Sequence, residues 1–154
     1  MRVRRAIRRF RSLPGREKRL VLQAMAQVLV VRATLRVLPF ALAVGLLNRW
    51  MGFRVRKPHP PERVEASVAA IERVARGLFP RNPCLTSAVA AHLLLRRNGE
   101  PATLRIGIRR GSEDRLEAHA WVELHGRIVV GGADSPSSYV ALPALTASDG
   151  LARG

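Results

Sequence analysis

Two apolar segments near the start of the chain are followed by one with a regular helical pattern. Residues 16–35 favour helix, with broadly distributed apolar positions. Pro39 marks a break, because proline disfavours helix in the residue before it, and a second helix is expected from Pro39 to about Arg49. Two helices this apolar require burial against each other or against a partner.

The next two predicted helices differ in character. Apolar residues recur at three- and four-residue steps over 62–78, which indicates an amphipathic helix. The following helix is expected to have Asn82 as N-cap and Pro83 at its first position. It places Cys84 in the first turn and continues to Arg97.

After Pro101 the apolar period changes to two, which is typical of strands. His125-Gly126 is a two-residue hairpin signal. This order predicts an α+β fold in which the cysteine-bearing helix packs on a small antiparallel sheet. The expected strands are 102–110, 116–124, 127–132 and a short fourth at 139–142.

The length of 154 residues is that of one domain. The single cysteine excludes an internal disulfide framework and a multi-cysteine zinc site, and it suits a reducing compartment. The expected parts are a basic arm, a helical region, a mixed core and a tail, at 1–15, 16–57, 58–145 and 146–154.

The net charge of +16 is concentrated at the start of the chain, where the first twenty residues hold nine Lys and Arg residues and one Glu. Such a run faces water, nucleic acid, anionic lipid or an acidic peptide, and composition does not choose among them. Neither apolar run, 20–31 or 37–47, reaches the ~20 residues that cross a bilayer. We therefore expect a cytoplasmic protein, with membrane-surface contact by its N-terminal half as an open alternative.

Cys84 is the first candidate for chemistry. The amides and dipole of a helix N-terminus stabilise a thiolate, and the same amides can stabilise an oxyanion. The alternative is that Cys84 is a small buried apolar residue.

A thiol nucleophile needs a base, and the four histidines can be sorted. His92 lies about 12 Å along the helix axis from Cys84 and cannot reach it. His59 lies among linker prolines, and His125 occupies a turn. His119, in the middle of a strand, is the candidate base, with a structural role as its alternative.

The hairpin suggests a third residue. If Leu124 pairs with Arg127, His119 faces Gly132, and Asp134 is the diagonal neighbour at ~7–8 Å. Its carboxylate could then orient the imidazole. A bulge in the third strand would shift this register, and a turn role for Asp134 is an equal alternative.

Three elements together resemble a known family. They are Pro83-Cys84-Leu85 opening a helix that ends Leu95-Arg96-Arg97-Asn98-Gly99, the strand Leu104-Arg105-Ile106-Gly107-Ile108, and Ala118-His119-Ala120-Trp121-Val122-Glu123 followed by Gly126. Over about residues 16–142 they resemble the transglutaminase-like domain of lasso-peptide biosynthesis, the lasso-peptide B protein or leader peptidase.

The resemblance implies a papain- or transglutaminase-like catalytic core over 58–145, in a bacterial cytoplasmic enzyme. Cys84 would form a thioester with the precursor peptide, and His119 would act as base in removing the leader. The freed core amine would pass to a separate ATP-dependent lasso cyclase. No metal or organic cofactor is implied.

Two features depart from the family. Some relatives carry an aspartate near Gly131-Gly132, for which Asp134 is the substitute here. The N-terminal half shows no strand pattern of a fused recognition domain, so the chain resembles the stand-alone form, which needs a separate leader-recognition protein.

Two other functions stay open. One is transglutaminase-like acyl transfer to an amine, which shares the thioester. The other is a non-catalytic basic protein that binds nucleic acid or membrane. Few aromatic residues and no helix-turn-helix or zinc pattern disfavour a nucleic-acid partner.

Overall fold

The computed structural model describes residues 12–52, 60–111, 115–132 and 138–142. Within these ranges the chain forms helices and an antiparallel sheet, as the α+β prediction requires. The helices are α1 (Gly15–Val37), α2 (Phe40–Gly52), α3 (Pro61–Leu78) and α4 (Cys84–Arg97). The strands are β1 (Thr103–Arg110), β2 (Leu116–Leu124), β3 (Arg127–Val130) and β4 (Val140–Ala141).

The first helix is longer than its apolar run. The basic residues Arg32 and Arg36 end the run in the sequence, but they continue the helix, so α1 extends over 23 residues. Neither apolar run of the sequence has the ~20 residues that cross a bilayer, but the helix that contains the first run does. By length and composition α1 is of the kind that can cross a bilayer, although core helices of soluble proteins and signal sequences meet the same test.

Helix α4 is the centre of the fold. Nine of its 14 residues are buried, and it contacts the other three helices together with β1, β2 and β3. Ala88, Ala90 and Ala91 have no solvent exposure, and their small side chains let the neighbouring elements approach the helix closely. The position of Cys84 at the head of α4 is therefore determined by the whole core.

The sheet has the order β3-β2-β1-β4. Strands β1 and β2 pair along their full length, which places Gly107 opposite His119. The turn between β2 and β3 has positive φ at both His125 and Gly126, of 50° and 73°, as a two-residue hairpin of this twist requires.

The third strand departs from the predicted register. Leu124 pairs with Arg127 as expected, but Val122 pairs with Val130, so Val129 is the extra residue of a bulge. Strand β3 then ends at Val130, two residues early. The prediction that His119 faces Gly132 is consequently wrong, because the constant register on which it depended is interrupted.

Candidate active site

Cys84 is the first residue of α4, and Pro83 occupies the N-cap position. The prediction of Asn82 as N-cap is wrong by one residue, and among the described residues no side chain caps the helix start. Instead, the hydroxyl of Ser87 donates to the Pro83 carbonyl at 2.9 Å and to the Cys84 carbonyl at 3.0 Å. The first amides of α4 have no partner within the helix, and they form a positive end beside the thiol.

The Cys84 thiol, which is partly buried, lines an open cleft of about 760 Å³. We refer to it as the Cys84 cleft. His119 lines the same cleft, so the fold brings the two residues to one site. The other walls are Glu72 and Arg76 of α3, Arg81, Asn82 and Pro83 before α4, Ser87 of α4, Leu116–Ala118 of β2, Ile128–Gly132 at the end of β3, and Tyr139.

A backbone carbonyl holds the imidazole of His119. The Nε2 atom lies 2.7 Å from the carbonyl oxygen of Gly131. A carbonyl oxygen can only accept a hydrogen bond, so Nε2 carries the proton. In the neutral ring Nδ1 is then the unprotonated nitrogen, and it is the one that can act as a base.

Gly131 is suited to this role by its backbone. Its φ of +81° lies in the left-handed region, and a Cβ there would lie 2.7 Å from the carbonyl oxygen of Ala120. Its amide donates to Oε1 of Glu72 at 3.3 Å. Glu72 on α3 thus anchors the residue whose carbonyl orients His119 on β2.

Two aromatic rings confine the imidazole. The ring of Tyr139 lies 5.3 Å from that of His119, centroid to centroid, and the ring of Trp121 lies at 6.2 Å. Gly107 makes room for both, because a Cβ there would approach Tyr139 Cβ to 2.8 Å. The guanidinium of Arg109 lies over the Tyr139 ring at 4.7 Å, which holds the ring against the histidine.

Of the other candidate residues, His92 and His125 are among the described residues. Asp134 and His59 are outside the described residues. His92 is buried within α4, where desolvation and then the charge of Arg96 lower its pKa to about 4. Within the described part of the chain, no cluster of His, Cys, Asp and Glu could hold a metal ion.

Several residues of the site escaped the sequence reasoning, and Glu72 and Gly131 are the most consequential. Glu72 is 59 positions from Gly131, and no local pattern connects them. The Gly131-Gly132 pair offered a signal, since glycine at a strand end often marks a left-handed residue. A contact made by a backbone carbonyl cannot be predicted from the residue type, because every residue has a backbone carbonyl.

Comparison with known proteins supports one relationship. Residues 25–144, well over half of the chain, match the family model described as Transglutaminase-like superfamily. The comparisons with curated proteins and with solved structures give no match.

Proposed function

Because the chain belongs to the transglutaminase-like superfamily, we propose that it is a cysteine peptidase with Cys84 as nucleophile and His119 as base. The observation that carries this proposal is the shared cleft: both side chains line it, and the Gly131 carbonyl leaves Nδ1 of His119 as the basic nitrogen. Superfamily membership supports a cysteine-dependent enzyme in general, and the two residue roles are our assignment.

Acylation begins when Nδ1 of His119 takes the thiol proton of Cys84. The sulfur attacks the carbonyl carbon of the scissile bond, and the amides at the start of α4 stabilise the oxyanion that forms. The imidazolium then gives its proton to the leaving amine as the carbon–nitrogen bond breaks. The products of this half are a free amine and a thioester on Cys84.

Deacylation repeats the proton transfers with water. Nδ1 takes a proton from a water molecule, the hydroxide attacks the thioester carbonyl, and the proton returns to the departing thiolate of Cys84. Throughout both halves of the reaction Nε2 of His119 keeps its proton and donates it in a hydrogen bond to the Gly131 carbonyl. Glu72 acts indirectly in this scheme, as a positioning residue that holds Gly131.

An extended polypeptide suits the walls of the cleft. Strand β3 is an edge of the described sheet and lines the cleft, so its free edge can pair with a substrate chain. The exposed side chains of Leu116 and Ile128, which also line the cleft, offer contacts for apolar substrate side chains. A substrate held this way presents its backbone carbonyls to the cleft.

The specific reaction that we propose is removal of the leader from a lasso-peptide precursor in the bacterial cytoplasm. This finer assignment depends on the resemblance of the segments around Cys84, Gly107 and His119 to the stand-alone lasso-peptide B protein. It requires a separate leader-recognition protein to deliver the precursor. It also requires an ATP-dependent cyclase to consume the new core amine.

Mass spectrometry of a cleavage reaction tests the proposal. The full-length protein is incubated with a synthetic lasso precursor and its leader-recognition protein, and we expect two products whose masses add to precursor plus water. Cys84→Ala and His119→Ala should yield no product, whereas the exposed turn variant His125→Asn should retain full activity. Cleavage by Cys84→Ala at the rate of the unchanged protein would refute the nucleophile assignment.

Acyl transfer to an amine is the competing reaction within the same superfamily. Water labelled with ¹⁸O separates the two, because hydrolysis places one label in the new leader carboxylate. Transfer instead gives an unlabelled leader amide, whose mass exceeds that of the hydrolysed leader by the mass of the amine less one water. A dominant amine adduct at low amine concentration would replace the peptidase proposal with a transferase.

A further inference from the structure

The solvent-facing side of the middle of α1 is mostly apolar. Ala24, Val28 and Val31 point inward and are buried. The opposite side of the helix shows no charged residue between positions 20 and 31. A helix segment with apolar residues on both its inner and its outer side is normally covered on both, in a protein core or by lipid. The exposed residues from position 20 to 33 are Leu22, Gln23, Ala26, Leu29, Val30 and Ala33, of which Gln23 alone is polar.

Helix α2 continues this pattern. Leu42, Leu46 and Trp50 recur at four-residue steps, and 63%, 47% and 82% of their surfaces are exposed. Trp50 lines one groove of about 430 Å³ together with Ala26 and Val30 of α1, so the exposed sides of the two helices meet. We call the exposed set Leu22, Leu29, Val30, Leu42, Leu46 and Trp50 the apolar surface.

The part of the sequence that contains α1 and α2 carries most of the positive charge. Residues 1–57 contain fifteen Lys and Arg residues and one Glu, so they carry +14 of the net +16. Three guanidinium groups, of Arg16, Arg19 and Arg63, line a cleft of about 510 Å³. The cleft shares Leu20, Gln23 and Arg63 with the groove beside Trp50, so cationic and apolar areas adjoin.

We propose that α1 and α2 dock this protein on the surface of an anionic lipid bilayer. The apolar surface enters the boundary between headgroups and acyl chains, and the guanidinium groups contact lipid phosphates. Tryptophan favours this depth, because its ring is apolar and its indole N–H is polar. Apolar burial and electrostatic attraction together give stable attachment to a membrane, whereas either contribution alone gives only marginal binding.

Helix α1 lies along the membrane in this proposal and does not cross it. Val28 and Val31 are fully buried against the rest of the protein. The side-chain amide of Gln27 donates to the Ala90 carbonyl of α4 at 2.8 Å. Crossing the bilayer would expose this inner side and break its contacts with the catalytic helix.

Binding to vesicles tests the docking, and Trp50 is a built-in reporter. The other tryptophan, Trp121, is only 3% exposed, so a change in emission on binding reports Trp50. With vesicles of phosphatidylcholine and phosphatidylglycerol at 3:1, we expect co-sedimentation, a blue shift and quenching by brominated acyl chains. Vesicles of phosphatidylcholine alone should bind at least tenfold more weakly.

Variants separate the apolar from the electrostatic contribution. The double variant Leu22→Gln/Leu29→Gln should weaken binding to the anionic vesicles by tenfold or more. The matched control Leu78→Gln changes an exposed leucine at the end of α3 and should bind as the unchanged protein does. Because all three sites are exposed, circular dichroism should show equal helix content in every variant.

Three results would overturn the proposal. The first is an absence of binding to anionic vesicles. The second is equal binding by the double variant, which would reduce the effect to nonspecific charge attraction. The third is a dimer in light scattering that the double variant dissociates, which would assign the apolar surface to a second copy of this chain.

Discussion

The Nε2 atom of His119 lies 2.7 Å from the carbonyl oxygen of Gly131, so the backbone orients the imidazole. In a Cys-His-Asp or Ser-His-Asp arrangement a carboxylate makes this contact and also stabilises the imidazolium by its charge. The Gly131 carbonyl orients the imidazole and fixes its tautomer in the same way, but it offers the imidazolium a dipole and not a full negative charge. The proposed catalysis therefore depends on the backbone conformation of one glycine.

Gly131→Ala should lower kcat by about 100-fold, because displacing a catalytic group by about 1 Å has an effect of that size. Residue 131 has a φ of +81°, and the new Cβ would collide with the carbonyl oxygen of Ala120. Relief of this collision moves the carbonyl of residue 131 away from His119. Steady-state kinetics on a peptide substrate measure the effect. Gly126→Ala is the matched control, since it has a φ of +73° with open space around it, and its kcat should be unchanged.

Variants of Glu72 test its positioning role. Glu72→Ala removes the acceptor for the Gly131 amide and should lower kcat by about tenfold, consistent with the ~1.5–3 kcal/mol of a hydrogen bond to a charged group. Glu72→Gln keeps an acceptor oxygen and should recover most of that loss, with KM unchanged in both variants. Equal losses in the two variants would show that the charge of Glu72, and not its hydrogen bond, is what matters.

His92 should make the fold sensitive to acid. Its folded pKa of about 4 lies below the unfolded value of 6.5, so between these values the unfolded chain binds a proton that the native chain does not. The free energy of unfolding is therefore unaffected by this group above pH 6.5. It falls as the pH is lowered towards 4, by about 3 kcal/mol in total. Urea unfolding across this range should show a shallower pH dependence for His92→Leu than for the unchanged protein. Parallel plots of stability against pH for His92→Leu and the unchanged protein would contradict the prediction. The control is His125→Asn, which replaces an exposed histidine.

Thr86 offers a stabilising substitution. It is fully buried in α4, and its hydroxyl has no hydrogen-bond partner among the described residues. Thr86→Val removes the unpaired hydroxyl at nearly constant volume and should raise the free energy of unfolding by about 1 kcal/mol. Thr34→Val is the comparison, because that hydroxyl donates to the Val30 carbonyl and its removal should bring no gain. A loss of stability in Thr86→Val would mean that the hydroxyl is satisfied in solution.

Strong periodic patterns made much of the fold predictable. Helix α4 ends at Arg97 as predicted and begins one residue late, at Cys84, and β2 runs from Leu116 to Leu124, at the predicted bounds. In each case the pattern is bounded by residues with distinct conformational preferences, namely prolines before α4 and His125-Gly126 after β2. The hairpin pairing next to that turn was predictable for the same reason.

Features that depend on three-dimensional packing were not predictable. The bulge at Val129 leaves no mark in the composition of β3, yet it shifts the pairing of Val130 by one residue. The contact of Glu72 with Gly131 joins distant parts of the chain. The apolar positions of α1 occupy both of its sides, so no periodicity distinguishes the side that packs on α4 from the side left exposed.

The presence of one cysteine, half-buried in an open cleft, has a practical consequence. Any thiol-directed reagent can modify this protein at one position only, the proposed reaction centre. The moles of iodoacetamide incorporated per mole of chain then count competent sites, and a fluorescent maleimide labels the cleft without engineering. Protection of that thiol by a bound peptide would rank candidate substrates before any turnover is detected.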